Sequence, residues 1–333
     1  MNKENHDINI YSGIRTDLAI EARENFESDE IEGVKTETEK NENYTITHVS
    51  ILNEKGSEIL GKPIGNYITI ESPEMRENNI DVHEEIIEKT SQCIKKLIEI
   101  NNINPTNILI AGLGNRYVTP DALGPKTISK ILVTRHIIDT VSEDIEGAVS
   151  SVCAISPGVM GITGIETGEI IKGITEKVKP NLIIAIDALA ARRFSRINAT
   201  IQMSDIGIIP GAGVGNKRMA LDKKTLGVPV IAIGVPTVVD AATLVNDTMD
   251  RILDEMVQSA KEGTEIYNML KNLDYDEKYR LITELLTPYA GNMFVTPKEV
   301  DAVIDRLANI IGNSINISLH EGITTDDINR YKY

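Results

Sequence analysis

Two acids beside apolar runs are the residues best placed to do chemistry in this 333-residue chain. Asp121 follows the run Ile108-Leu-Ile-Ala111 after a Gly-rich turn, Gly112-Leu-Gly114-Asn115, and Asp187 comes directly after Leu182-Ile-Ile-Ala-Ile186. Short apolar runs bounded by turns read as strands buried on both faces. Ligands of such sheets gather beyond the carboxyl ends of the strands. If the two strands are neighbours, both carboxylates enter one pocket. Carboxylates that close cannot both ionise comfortably, so one keeps its proton and the pair offers an acid and a base together. Such a pair can activate water against an amide and then protonate the leaving amine.

Structural roles compete with this reading. Thr119-Pro120-Asp121 suits a helix start, with an acid in the first turn, and Asp187 could cap whatever follows it. Arg192, Arg193 and Arg196 lie just beyond Asp187. They form either a solvated face or a clamp for substrate carboxylates.

Other chemistries find little support. Tyr117 occupies the third glycine position of a dinucleotide fingerprint, and Gly211-Ala-Gly-Val-Gly-Asn-Lys217 breaks the Walker pattern at Asn216. Both turns read as close-packed backbone rather than as a nucleotide-binding module. The five histidines show no paired spacing, and there is no Gly-x-Ser-x-Gly elbow. Cys153, within an apolar strand, reads as core. No metal or cofactor is expected, although a metal held by the same two carboxylates stays open as a variant of the hydrolytic reading.

The elements that must hold these residues follow from periodicity. Residues 1 to about 43 are polar and acidic and read as loop, apart from the island Arg15-Thr-Asp-Leu-Ala-Ile-Glu-Ala-Arg23. Tyr44–Leu52 and Asn66–Ile70 read as antiparallel strands, and Val82–Ile100 as a helix with Asp81 as N-cap. Strands at 108–111, 147–155, 182–186, around 199–203 and 228–234 alternate with helices at 122–138, 166–178 and 238–261. Two or three helices are expected from Tyr275 onward, one of them starting at Thr296-Pro-Lys-Glu. The class is therefore α/β, with a mostly parallel sheet flanked by helices, a small added β region and C-terminal helices.

Composition narrows the function. The net charge is −16, which disfavours direct binding of nucleic acid through the whole surface. No apolar run approaches the length of a membrane span, no secretory signal is present, and two distant cysteines suit a reducing cytoplasm.

Taken together, Gly112-Leu-Gly-Asn115, Val118-Thr-Pro-Asp-Ala-Leu-Gly-Pro125, Ile186-Asp-Ala-Leu-Ala-Ala-Arg192, the block Gly207–Asn216 and Arg15-Thr-Asp-Leu-Ala19 resemble the germination proteases of spore-forming bacteria. The resemblance implies a core similar to that of hydrogenase-maturation proteases. It also implies an atypical aspartic endopeptidase with Asp121 and Asp187 as its essential acids. Such enzymes begin the breakdown of small acid-soluble spore proteins during germination. They are homotetramers made as zymogens in the forespore and kept in the spore core, in the cytoplasm. On this resemblance residues 1–17 are a propeptide and 18–333 a single peptidase domain with insertions. The family cuts after an acid and before an aliphatic residue followed by Ala, which places processing at Asp17–Leu18. It also prefers an acid where Ile14 stands here, a departure consistent with slow or tightly regulated self-cleavage. An acidic cleavage motif would give Arg192, Arg193 and Arg196 a substrate to contact.

Overall fold

The structure is a computed structural model that describes residues 16–24, 26, 30–138, 149–211, 218–259, 281–282, 284–285 and 293–327. Residues 1–15 of the expected propeptide, 212–217 of the second Gly-rich turn and most of the helical stretch expected between Tyr275 and Thr296 lie outside the described residues.

A short helix α1 (Ala19–Glu24) precedes three antiparallel strands, β1 (Val34–Lys40), β2 (Thr45–Ile51) and β3 (Gly65–Glu71). β1 falls in the region expected to be loop. Its sequence Val-Lys-Thr-Glu-Thr-Glu-Lys has no apolar face, so hydrophobic periodicity cannot detect it. It stands exposed at the sheet edge, where charged side chains deter pairing with other chains. Between β2 and β3 lies α2 (Glu54–Leu60), capped by the Asn53 side chain on the Gly56 amide and closed by Gly61 at φ 62°. The long helix α3 (Ile80–Ile100) is capped by Asn79 instead of Asp81, because the Asn79 side chain accepts from the Val82 amide.

The alternating part contains β4 (Asn107–Gly112), α4 (Leu123–Ile128), β5 (Ser151–Ile155), α5 (Met160–Thr163), α6 (Thr167–Val178) and β6 (Leu182–Ala191). It continues with β7 (Thr200–Ser204), α7 (Lys223–Leu226), β8 (Val230–Asp240), α8 (Ala241–Ser259), β9 (Phe294–Val295) and α9 (Val300–Leu319). Boundaries that differ from expectation have local causes, as three of them show. α4 stops at Ile128 because the chain turns so that the Thr134 and Arg135 amides bond the Val152 carbonyl on β5. β6 runs on to Ala191 because β8 pairs with it throughout. β8 takes in Val238–Asp240, expected as helix, because Val239 and Asp240 pair with Val295 and Phe294 of β9.

The sheet order is β1-β2-β3-β7-β8-β6-β4-β5, with β9 on the end of β8. β5, β4, β6 and β8 are parallel to one another, whereas β7 and the strands beyond it add antiparallel pairings. The α/β class holds, and the sheet is mixed. The reason is the short connection from Arg192 to Ala199, since a parallel return needs a crossover of about a dozen residues or more. Alternate strand residues serve opposite layers. Ile110, Ile184 and Ile233 meet Ile94 of α3 and Ile311 of α9, while Leu109, Ile183 and Ala185 meet Ile171 of α6. Both faces are covered, as parallel strands require.

The turn after β4 is closed by glycines. A Cβ on Gly124 would lie 2.3 Å from the Leu113 carbonyl oxygen, and one on Gly112 would lie 2.3 Å from the Gly124 carbonyl oxygen. The backbone of α4 thus rests directly on the end of β4, the close-packed use expected for these residues. Gly124→Ala is expected to destabilise the protein by about 1–3 kcal/mol through overpacking. That should lower the thermal midpoint by several degrees, and a midpoint within ~1 °C of wild type would show that the two backbones can separate freely.

Candidate active site

Asp187 sits inside β6, paired with Gly234 of β8, rather than just past a strand end. No helix follows it for it to cap. Its face of the strand carries Ile183, Ala185, Asp187 and Leu189 in succession. The first two pack in the core, and Asp187 comes where the neighbouring β4 has ended, because Gly112 pairs with Ile186. The side chain is only 4% exposed, so the acid is held against apolar surroundings.

Asp121 comes from a 3-10 turn, Thr119–Asp121, ahead of α4. Its carboxylate does not cap that helix. Oδ2 instead accepts the backbone N–H of Asn115 at 2.8 Å, back across the turn. Gly114 makes the fold-back possible. Its φ is 106°, and a Cβ there would lie 2.1 Å from the Asp121 carbonyl oxygen.

The two acids line one cavity of about 410 Å³ with Gly114, Pro120, Leu189 and Arg218. Burial drives the Asp187 carboxyl well above the usual carboxylate range, and the charges of Asp121 and Asp17 push it the same way. The Ala188 amide, 2.9 Å from Oδ1, and Arg218 pull against that shift without cancelling it. Asp121 is also raised by burial, opposed by the Asn115 N–H and by Arg218. A buried acid raised by a second acid is the arrangement in which one group keeps its proton.

Asp17 is the third acid of the cavity. The Asp17 N–H donates to the Ala190 carbonyl at 3.1 Å, and the Ala190 N–H donates to Asp17 Oδ2 at 2.9 Å. The Asp17 carbonyl oxygen accepts from Lys62 Nζ and from Gln202 Nε2, each at 3.1 Å. Gln202 Oε1 in turn accepts the Ala19 N–H at 2.6 Å. Leu18 is fully buried with Ile20, Leu189 and Ala191, and Ala19 packs among Val49, Leu60 and Tyr67. The Asp17–Leu18 bond expected to be processed is therefore bound along β6, three residues from Asp187 in that strand. Burial raises the Asp17 carboxyl, with the Ala190 N–H and the Lys62 charge pulling it down.

The arginines are used differently from the sequence expectation. Arg196 is 5% exposed and holds Glu24 through both terminal nitrogens, at 2.8 and 2.7 Å, and Glu71 through Nε at 2.7 Å. A buried guanidinium committed to the chain's own carboxylates has no fork left for a substrate acid. It ties α1 to β3. The backbone N–H groups of Arg192 and Arg193 bind the Glu21 carboxylate at 2.8 and 2.9 Å, and the Arg193 side chain lies 3.3 Å from Glu24. These contacts all fall beyond the expected cut, whereas the acid before it is met by Ala190 and Lys62.

Lys62, Gln202 and Arg218 were not visible as site residues from sequence. Gln202 had one faint signal, an amide inside the otherwise compact strand Thr-Ile-Gln-Met-Ser. Lys62, between Gly61 and Pro63, had none. Cys93 is buried and its thiol is pushed up to about 11, while burial also raises the thiol of Cys153. Neither resembles an activated nucleophile. Among the described residues no group of three or more His, Cys, Asp or Glu side chains is arranged to hold a metal ion. No helix among them is long and apolar enough to cross a membrane.

Comparison with known proteins gives a consistent placement. A family model described as germination protease matches residues 14–271 and 259–332. The germination protease of Clostridium tetani is 50% identical over 321 residues, covering 96% of this chain and 99% of that protein. The germination protease of a Geobacillus species is 41% identical, covering 98% and 99%. Among solved structures, the NiFe hydrogenase maturation protease HycI of Thermococcus kodakarensis aligns with 59% of this chain and 97% of its own, at 16% identity and a TM-score of 0.29. That score adds nothing to the sheet described above. The family match spans the strand that carries Asp187, the turn that carries Asp121 and the helices behind them, so the chain belongs to the germination protease family and is a peptidase.

Proposed function

We propose that Asp121 and Asp187 together hydrolyse peptide bonds, with water as the nucleophile and no metal. The observation that carries this reading is the shared cavity, in which burial and the charge of Asp121 both favour the protonated form of Asp187. Asp187 then serves as the acid that protonates the leaving nitrogen, and Asp121 as the base that takes a proton from water. Arg218 opposes the build-up of negative charge between them.

The chain is made as a zymogen and cuts itself at Asp17–Leu18, releasing residues 1–17. Support comes from the seating of that bond beside Asp187, with Asp17 in the cavity where a substrate acid would lie. The same seating would exclude other substrates until the cut is made. The targets are small acid-soluble spore proteins, degraded as germination begins, with cleavage after an acid and before an aliphatic residue followed by Ala. The junction Asp17-Leu18-Ala19 fits that rule, and its two side chains have different neighbours: Leu18 lies with Ile20, Leu189 and Ala191, Ala19 with Val49, Leu60 and Tyr67. The enzyme works as a homotetramer in the forespore and spore core.

Asp121→Asn and Asp187→Asn should each abolish self-cleavage and peptide hydrolysis while keeping the native circular dichroism. Substantial turnover by either variant would defeat the paired-acid reading. Asp187→Asn should also be more stable than wild type near neutral pH. The unfolded carboxyl ionises near 3.8 and the folded one only at higher pH. The native state therefore holds the extra proton between those values, and wild-type stability falls as pH rises through that window. Asparagine feels no such loss, so its thermal midpoint should exceed wild type at neutral pH and converge with it below about pH 4. A chain beginning at Leu18 should hydrolyse an Asp-Leu-Ala peptide at once, while the full chain is inert until cut. Equal inertness of both would remove the inhibitory role of residues 1–17.

A further inference from the structure

We infer that Lys62 and Gln202 form the carbonyl-binding half of the site, holding the oxygen of the bond to be cut through hydrolysis. This rests on the reading that the chain cuts itself at Asp17–Leu18.

The two donors converge on that peptide unit. Lys62 Nζ and Gln202 Nε2 both donate to the Asp17 carbonyl oxygen at 3.1 Å, one a cation and the other a neutral amide. Gln202 also accepts the Ala19 N–H, so a single side chain brackets Leu18 and fixes the register of the junction. Lys62 additionally donates to the Thr16 carbonyl at 3.2 Å. The donors arrive from separate elements, the turn after α2 and the strand β7, while Asp121 and Asp187 come from the turn before α4 and from β6. Gln202 pairs with Gly234, and Gly234 pairs with Asp187, so the amide and the acid lie in one row across the sheet. Lys62, Gln202, Asp17 and Asp187 also line a second cavity of about 270 Å³.

This arrangement supplies what an acid pair lacks. Water bonds to the Asp17 carbonyl carbon and gives one proton to the ionised carboxylate of the pair. The carbonyl electrons move onto the oxygen, where Lys62 and Gln202 already point. The C–N bond then breaks, the electrons return, and the protonated carboxyl delivers its proton to the Leu18 nitrogen. The products are a carboxyl group on Asp17 and an amine on Leu18. Donors aimed at an oxygen before its charge develops need no reorganisation in the transition state. In protein substrates the same two donors receive the carbonyl of the acid before the cut.

The test uses the full chain and follows, by mass spectrometry, the first-order appearance of the fragment starting at Leu18. Lys62→Met and Gln202→Leu should each slow it by about 10²-fold, the usual loss for one donor of this kind. Lys62→Arg and Gln202→Asn keep a donor and should retain intermediate rates. Hydrogen exchange at the Ala190 amide, bonded to the Asp17 side chain, reports whether the junction is still seated. In Lys62→Met it should stay as protected as in wild type. Loss of that protection would reduce Lys62 to a seating role and overturn the inference. If one of Lys62→Met and Gln202→Leu fails to fold, the other decides, and a rate within ~3-fold of wild type in it overturns the inference. Wild-type cleavage at Asp17–Leu18 with rates in Lys62→Met and Gln202→Leu within ~3-fold of wild type overturns this inference and leaves the paired acids standing. Wild-type cleavage at another bond overturns the processing reading and this inference together.

Discussion

The constraint on which this structure turns is the burial of one carboxyl group in a central strand. Asp187 is placed where isoleucine and alanine occupy the preceding inward positions, and only 4% of it is exposed. An acid in that position is costly to ionise. The surroundings do not relieve the cost fully, since only the Ala188 amide and the more distant Arg218 oppose it. A residue that weakens the folded state yet sits amid the largest β-pairing of the sheet is held there by its neighbours, not by its own contribution.

The rest of the site follows from that placement. β4 stops one residue short of Asp187, and the glycines of its turn let α4 and the Asp121 turn settle onto the strand end. On the other side, β7 returns antiparallel because its connection from β6 is short, which brings Gln202 into the row that contains Gly234 and Asp187. The extended β6 then offers Ala190 to Asp17. Each polar contact is a consequence of sheet topology.

Sequence carried the apolar centre of this design well. The runs at 108–111 and 182–186 are legible as buried strands because they lack polar residues, and α3 is legible from its period. An acid adjoining such a run is conspicuous, which is why Asp121 and Asp187 could be picked out. What sequence could not carry were features set by pairing partners. β1 has no apolar stripe, the last residues of β6 and β8 are strand only because of each other and of β9, and α4 is short because the following chain bonds to β5. Lys62 and Gln202 meet Asp17 across 45 and 185 positions of chain, a relation that no local spacing encodes. Arg196, for which the sequence leaves a solvated face or a clamp on substrate carboxylates, is instead buried and bonded to Glu24 and Glu71 of its own chain.

The anchoring of α1 by Arg196 has a further consequence. Severing the chain before Leu18 would create an ammonium group in a pocket where Leu18 has no exposed surface. A buried charge is unfavourable unless it is well paired, so the new terminus would gain by reaching water. Glu24 and Glu21, however, remain held by Arg196 and by the Arg192 and Arg193 amides. The released strand end would then behave as a hinged flap, fixed at one side and repelled at the other. Its opening would be graded by salt and pH, because the hinge is made of ion pairs and the expulsion of a single charge.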